Sequence, residues 1–261
     1  MIVNTHRLFA RLLPEMQIDA ICDVGSMNGA EALAFSATAP QSRVYAFEPN
    51  PANLRQMRSD RALQERNVQI VEAAATNYDG EAEFFLVAAD YSQGDPRRGM
   101  SSLHQRSGEW APASVVRVRT TRLDTFLADK CQPGVRLALW IDTEGSAYEV
   151  IEGFSGVADQ VHLVHVEVET SPCIGSNQKL YPEVKELLRQ LGFAEVATDL
   201  PRSHVQFNAL FVRLDLSAAM RLRLRAWLLR ARLRRLAGGL VGSLCPACLR
   251  RYQAMRRRGG S

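Results

Sequence analysis

Short apolar runs rich in β-branched residues recur along this chain up to Arg213, and most are separated by stretches of helical period. Residues 18–24, 43–47, 68–74, 135–141, 161–168, 193–198 and 206–213 read as strands. Residues 29–39, 51–61, 146–153 and 181–191 read as helices between them. A β-α alternation of this kind folds into a mostly parallel sheet with helices on both faces. The runs 135–141 and 161–168 are almost continuously apolar, as strands covered on both faces must be. The last two runs are joined only by the polar loop 199–205, too short for a crossover helix, so they should pair antiparallel. The expectation is a doubly wound α/β fold closing in an antiparallel pair.

Two regions break the rhythm. Residues 80–122 contain a hairpin-like pair, 81–87 and 115–121, around a long polar loop of the kind that is functional or disordered. Beyond Asp215 the chain has twelve arginines and no acidic residue, which leaves 20 basic against 28 acidic side chains before it. The organisation expected is an N-terminal helix over 1–17, the α/β domain over 18–215 and a basic tail over 216–261. An acidic domain has no general attraction for nucleic acid, and none is expected as a partner. The Arg/Leu pattern of 221–240 suits a helix lying on an anionic membrane surface, a helix docking on a protein, or a solvated terminal helix.

The 261 residues fit one α/β domain with insertions, and no apolar run approaches the roughly 18–20 residues of a membrane helix. The first sixteen residues read as a helix rather than a signal peptide. Five scattered cysteines argue against a disulfide framework and for a reducing, cytoplasmic setting. Cys245-Pro-Ala-Cys248 supplies half of a zinc site, with no second pair to complete it.

Chemistry is concentrated at strand ends. Asp23-Val-Gly25-Ser26-Met27-Asn28-Gly29 follows the first strand and opens a helix. Gly25 permits a tight turn, Gly29 permits close packing, and the turn offers backbone N–H groups to a ligand. The second strand ends in Glu48-Pro49-Asn50, where an acidic side chain can grip both hydroxyls of a ribose, or cap the next helix together with Asn50. A dinucleotide fingerprint needs Gly-x-Gly-x-x-Gly, but positions 27 and 30 are Met and Ala. The Gly-x-x-x-Gly spacing suits a nucleoside ligand without phosphates, such as S-adenosylmethionine, and disfavours a nicotinamide oxidoreductase. Asp142 and Glu144 sit at the end of a buried strand, and Glu167 and Glu169 end the next one. Together they suggest an acidic pocket in which Asp142 acts as general base or holds the ligand's ammonium group, and Glu144 meets acceptor or metal. Nothing in the spacing demands a cation, and no metal is expected. His204, in the loop before the last strand, is a second candidate base or a solvated loop residue.

As an ordered set, Asp23-Val-Gly25 to Gly29, Phe47-Glu48-Pro49-Asn50-Pro51, Ala73-Ala74 with Asp79-Gly80, Gly99-Met-Ser101-Ser102-Leu103, Thr121-Arg-Leu123-Asp124, Ile141-Asp142-Thr-Glu144-Gly145 and Val166-Glu167 resemble the FkbM family of class I methyltransferases. The resemblance covers about residues 18–213. It implies a seven-stranded sheet, S-adenosylmethionine as donor, and O-methylation of a hydroxyl on a small-molecule, sugar or glycan acceptor. It places Asp23, Gly25, Ser26 and Gly29 at the methionine end of the cofactor, and Glu48 with Pro49 at the ribose. Ala74 and Ala75 fall near the adenine, while Asp142 and Glu144 face the reaction. Where many members carry Ala-Asn this chain has Ser26-Met27. The alternative is a non-catalytic S-adenosylmethionine-binding subunit that works through its basic tail.

Overall fold

The computed structural model describes residues 1–66, 68–90, 95–132 and 134–244; Cys245-Pro-Ala-Cys248 and the rest of the tail lie outside them. In chain order the structure runs α1 (Thr5–Glu15), β1 (Ala20–Val24), α2 (Ala30–Thr38), β2 (Arg43–Phe47), α3 (Pro51–Ser59), α4 (Arg61–Glu65) and β3 (Gln69–Val71). It continues through β4 (Ala74–Ala75), β5 (Gly80–Leu86), β6 (Ser114–Thr121), α5 (Leu123–Ala128), β7 (Leu137–Ile141), α6 (Ala147–Gly153) and β8 (Val161–Glu169). It ends with α7 (Tyr181–Gln190), β9 (Phe193–Thr198), β10 (Gln206–Arg213) and α8 (Ala218–Leu244).

Seven strands form one sheet in the order β3-β2-β1-β7-β8-β10-β9. Neighbours from β3 to β8 are parallel, and β10 runs antiparallel to both β8 and β9. The expected antiparallel close is present, and the sheet has the seven strands that the resemblance implies. The chain winds outward from β1 to β3 and then returns to the far side of β1, so the order reverses between β1 and β7. In open α/β sheets that reversal leaves a crevice beyond the strands' carboxyl ends.

Strand alternation divides the core between the two faces. Cys22, Val24, Leu139 and Ile141 pack beneath α5, α6 and α7 with Leu123, Val150, Phe154 and Leu188. Ile21, Ala138, Trp140 and Leu163 pack on the opposite face with Phe9, Leu12, Phe35 and Met57. There the Trp140 and His165 rings, cross-strand neighbours, stack 3.6 Å apart, and His165 Nε2 lies 3.0 Å from Thr5 Oγ1 of α1. The N-terminal helix is therefore part of the domain's core rather than an appendage, and so is Leu224 at the start of α8.

Three details differ from the sequence reading. The run 68–74 is not one strand: β3 ends at Val71, and β4 leaves the main sheet to pair with β6 in a three-stranded sheet ordered β4-β6-β5. The helix expected over 51–61 breaks at Asp60, whose side chain caps α4 through the Ala62 N–H. The short helix α5 follows β6 where none was expected.

Candidate active site

At the topological reversal, a cleft is bounded by Gly25, Met27, Glu48, Pro49, Ala74, Ala75, Asp142 and Glu144. The first wall is the β1–α2 turn. Gly25 has φ +85°, and a Cβ there would lie 1.9 Å from the Asp142 carbonyl oxygen, so only glycine lets the tips of β1 and β7 meet. Gly29 serves packing instead: at φ +79° it lies against Leu63, and it does not line the cleft.

Most amides of this turn are spent within the protein. Gly25 and Ser26 N–H groups donate to the Phe47 carbonyl, Met27 N–H to Glu48, Gly29 N–H to the Ser26 carbonyl and Ala30 N–H to Asn28. The turn therefore presents no cluster of free N–H groups like that which cradles a pyrophosphate. The expected offer of backbone donors to a ligand is not what this turn makes.

Asp23 and Ser26 also differ from expectation. Asp23 lies on the α2 face of β1, where its carboxylate accepts from Ser26 Oγ at 2.6 Å and from the Ala32 N–H at 3.1 Å. Both side chains are buried and neither lines the cleft. Burial pushes the Asp23 carboxyl up to about 7, against the pull of its donors. Its place is to fasten turn to helix, not to touch what the cleft holds.

The second wall is the end of β2. Glu48 is 4 % exposed and accepts the Met27 and Asn50 N–H groups, one on each oxygen, both at 2.7 Å. Desolvation raises its carboxyl to about 7 despite these donors. The Asn53 side chain donates to this carboxylate as well, which leaves about one of its four acceptor sites for a ligand hydroxyl. Asn50 caps α3 through the Ala52 N–H, while Glu48 binds the cap residue's own N–H rather than an amide of the helix. Ala73, Ala74, Ala75 and Phe84 supply an apolar wall beside it.

The third wall carries the acids. Asp142 opens into the cleft from the end of β7 and is hydrogen-bonded to Glu167 from β8. Burial and the neighbouring Asp142 charge push the Glu167 carboxyl up to about 10, and the Asp142 carboxyl is raised as well. Glu144 is paired with Arg106, a buried guanidinium. Burial raises the Glu144 carboxyl and Arg106 opposes that rise. Glu169 is buried too and is pushed up to about 7; Gln206 Nε2 donates to Glu167 at 2.7 Å and to Glu169 at 3.3 Å. Among the described residues no three His, Cys, Asp or Glu side chains form a group that could hold a metal ion.

Part of the long insertion closes the cleft. Ser102 is fixed on β5 by reciprocal backbone bonds with Phe85, and its hydroxyl donates to the Glu144 carbonyl at 2.6 Å. Asn53 of α3 donates to the Arg98 carbonyl at 3.2 Å, and Arg98, Gly99, Ser101 and Leu103 line the cleft. The sequence offered the 99–103 motif but gave no sign that Arg98 and Arg106 belong to the same wall. His204 is not brought in: it is exposed on the loop before β10, where its carbonyl accepts from Thr170 Oγ1. It stands at the same sheet edge as Glu169 but outside the cleft.

Among solved structures, the chain is similar to a precorrin-6y C5,15-methyltransferase from Geobacter metallireducens GS-15 (17% identity, 79% of this chain and 86% of that one, TM-score 0.41). It is similar to a magnesium protoporphyrin IX methyltransferase from Synechocystis PCC 6803 with bound S-adenosylmethionine (12% identity, 80% and 78%, TM-score 0.41). It is also similar to a methyltransferase FkbM from Methylobacillus flagellatus KT (11% identity, 75% and 43%, TM-score 0.44). No curated protein matches it by sequence. The profile of the methyltransferase FkbM domain matches residues 23–194, from the glycine turn through the acid-tipped strands to the start of β9. The chain belongs to the FkbM methyltransferase domain family.

Proposed function

We propose that this protein uses S-adenosylmethionine to methylate a hydroxyl group on a sugar, glycan or other small metabolite. The observation that carries the reading is the meeting, in one cleft, of a buried carboxylate with spare acceptor capacity (Glu48), an apolar wall, and a carboxylate hydrogen-bonded to a second one behind it (Asp142 with Glu167). The residues fit the cofactor: Glu48 takes a ribose hydroxyl, Ala73–Ala75 and Phe84 face the adenine, and the Gly25 bend leaves room where a Cβ would meet the opposite strand. The phosphate-free ligand also agrees with a turn whose amides are mostly engaged already.

When bound, S-adenosylmethionine supplies an electrophilic methyl group on a sulfonium. The protein's own share is alignment and proton removal. The carboxylate of Asp142 accepts the proton of the acceptor hydroxyl, while Glu167, protonated beside it, keeps that carboxylate oriented. The Arg106–Glu144 pair holds the loop carrying Ser101 and Ser102 over the cleft and keeps water out. The acceptor enters across the acids.

Asp142→Asn tests this. S-adenosylhomocysteine affinity should stay within a few-fold, and methyl transfer to a panel of glycans and hydroxylated metabolites should fall about 10²–10⁴-fold. A variant that turns over like the wild type removes Asp142 from the chemistry. A wild-type protein that binds the cofactor product yet methylates no acceptor supports the non-catalytic alternative.

A further inference from the structure

The basic tail begins as α8, and its first turns are seated on the domain in a defined orientation. Leu224 is 5 % exposed, and Met220, Trp227 and Leu228 pack partly buried on the same core as α1. Arg223 pairs with Glu15 of α1 at 3.0 Å, and the Arg11 guanidinium lies 4.6 Å from the Trp227 ring centre. These contacts fix which side of α8 faces the protein.

The opposite side is apolar as well. At 3.6 residues per turn, Leu222, Leu229 and Leu233 fall within about 40° of one another and about 180° from the seated side. They are 70 %, 54 % and 55 % exposed. Arg225 flanks this stripe on one side and Arg230 on the other, both exposed. A helix that only bridged solvent would put its polar side chains where these leucines stand. An outward leucine stripe bordered by arginines, on a helix whose other side is already satisfied, is how a helix lies in a lipid–water boundary.

Charge selects the lipid. Twelve of the chain's 32 basic side chains and none of its 28 acidic ones lie beyond Asp215. The acidic domain is repelled by the same surface that attracts the tail, so an anionic bilayer would turn the molecule tail-first. Nucleic acid would satisfy the arginines but leave the leucines in water. No described helix is long and apolar enough to cross a membrane, so the contact would be along its surface.

The geometry points to α8 as a membrane-docking helix: the Leu222/Leu229/Leu233 stripe inserts among the lipids of an anionic leaflet, and the flanking arginines meet the headgroups. The domain is thereby held at the bilayer surface.

The test is co-sedimentation of the full chain with vesicles of phosphatidylcholine alone and of phosphatidylcholine with phosphatidylglycerol. A triple variant, Leu222→Gln, Leu229→Gln and Leu233→Gln, is compared; these side chains are more than half exposed, so its thermal melt and S-adenosylhomocysteine affinity should match the wild type. Binding to the phosphatidylglycerol vesicles is expected, weakened about tenfold or more at roughly 0.5 M salt and by a similar factor in the triple variant. Wild-type protein left in the supernatant, or a variant that binds vesicles as tightly as the wild type, overturns the proposal. So does a chain that ignores vesicles but binds an RNA oligonucleotide, or whose leucines instead mediate a dimer lost in the variant on sedimentation velocity.

Discussion

Replacing Gly25 with alanine perturbs the cleft at its tightest point. The residue sits at φ +85°, where an L-side chain costs roughly 1–2 kcal/mol. Its Cβ would lie 1.9 Å from the Asp142 carbonyl oxygen, and backbone on both sides leaves no flexible side chain to give way. Relief requires the tips of β1 and β7 to part, straining the neighbouring bond from the Asp142 N–H to the Val24 carbonyl, now 2.9 Å. Overpacking of this kind costs about 1–3 kcal/mol more. The sum, about 2–5 kcal/mol, is a large share of the roughly 5–15 kcal/mol that holds a domain together. At about 2–4 °C per kcal/mol for a chain of this size, the melting temperature should fall by about 4–20 °C. Because the displaced strand tips carry opposite walls of the cleft, affinity for S-adenosylhomocysteine should fall by about a hundredfold or more, measured by calorimetry below the melt. Gly29→Ala is the control: its φ of +79° imposes a similar backbone penalty, but its Cβ would meet only the end of the Leu63 side chain, away from the cleft. It should melt a few degrees lower and bind within a few-fold of the wild type. A folded Gly25→Ala protein that binds as tightly as Gly29→Ala would refute the reasoning.

Other consequences follow from the buried charges. In the proposed complex a ribose hydroxyl would donate to the ionised form of Glu48, whose carboxyl is raised to about 7, so binding should release a proton. Affinity for S-adenosylhomocysteine should therefore tighten as pH rises from about 6 to about 8, and Glu48→Gln should be weaker by about 10–100-fold and lose that slope. Equal wild-type affinity at both pH values would separate Glu48 from the nucleoside. Arg106→Ala strands Glu144 without its counter-charge and frees the wall it anchors. Tryptic cleavage after Arg98, now 3 % exposed, should accelerate by about tenfold or more; an unchanged rate would mean that the pair does not hold the loop.

The architecture was legible because each strand's pattern declares which faces are covered. Two-faced apolar runs gave the central strands, and the short loop 199–205 forced β9 and β10 antiparallel. The break between Val71 and Ala74 is marked in the sequence by Glu72 alone, and the partners of β4 reveal the change of sheet. At the site, Glu48, Gly25 and the acid-tipped strands could be placed because strand ends are where such a fold binds. Asp23 was misplaced through strand parity: one residue from the turn, its side chain falls on the α2 face. Arg106 went unnoticed because its pairing with Glu144 spans 38 residues and depends on how the insertion folds back. His204 was within reach in sequence, but its loop turns the ring to solvent.

The central claim is that the cleft between β1 and β7 is a nucleoside site gripped by Glu48, with Asp142 at its reactive end. A crystal structure with S-adenosylhomocysteine tests it directly. A ribose hydroxyl should lie within hydrogen-bond distance of Glu48, with the adenine against Ala74 and Ala75 and the sulfur on the Asp142 side. A nucleoside bound elsewhere, or one in this cleft whose ribose does not touch Glu48, would contradict it.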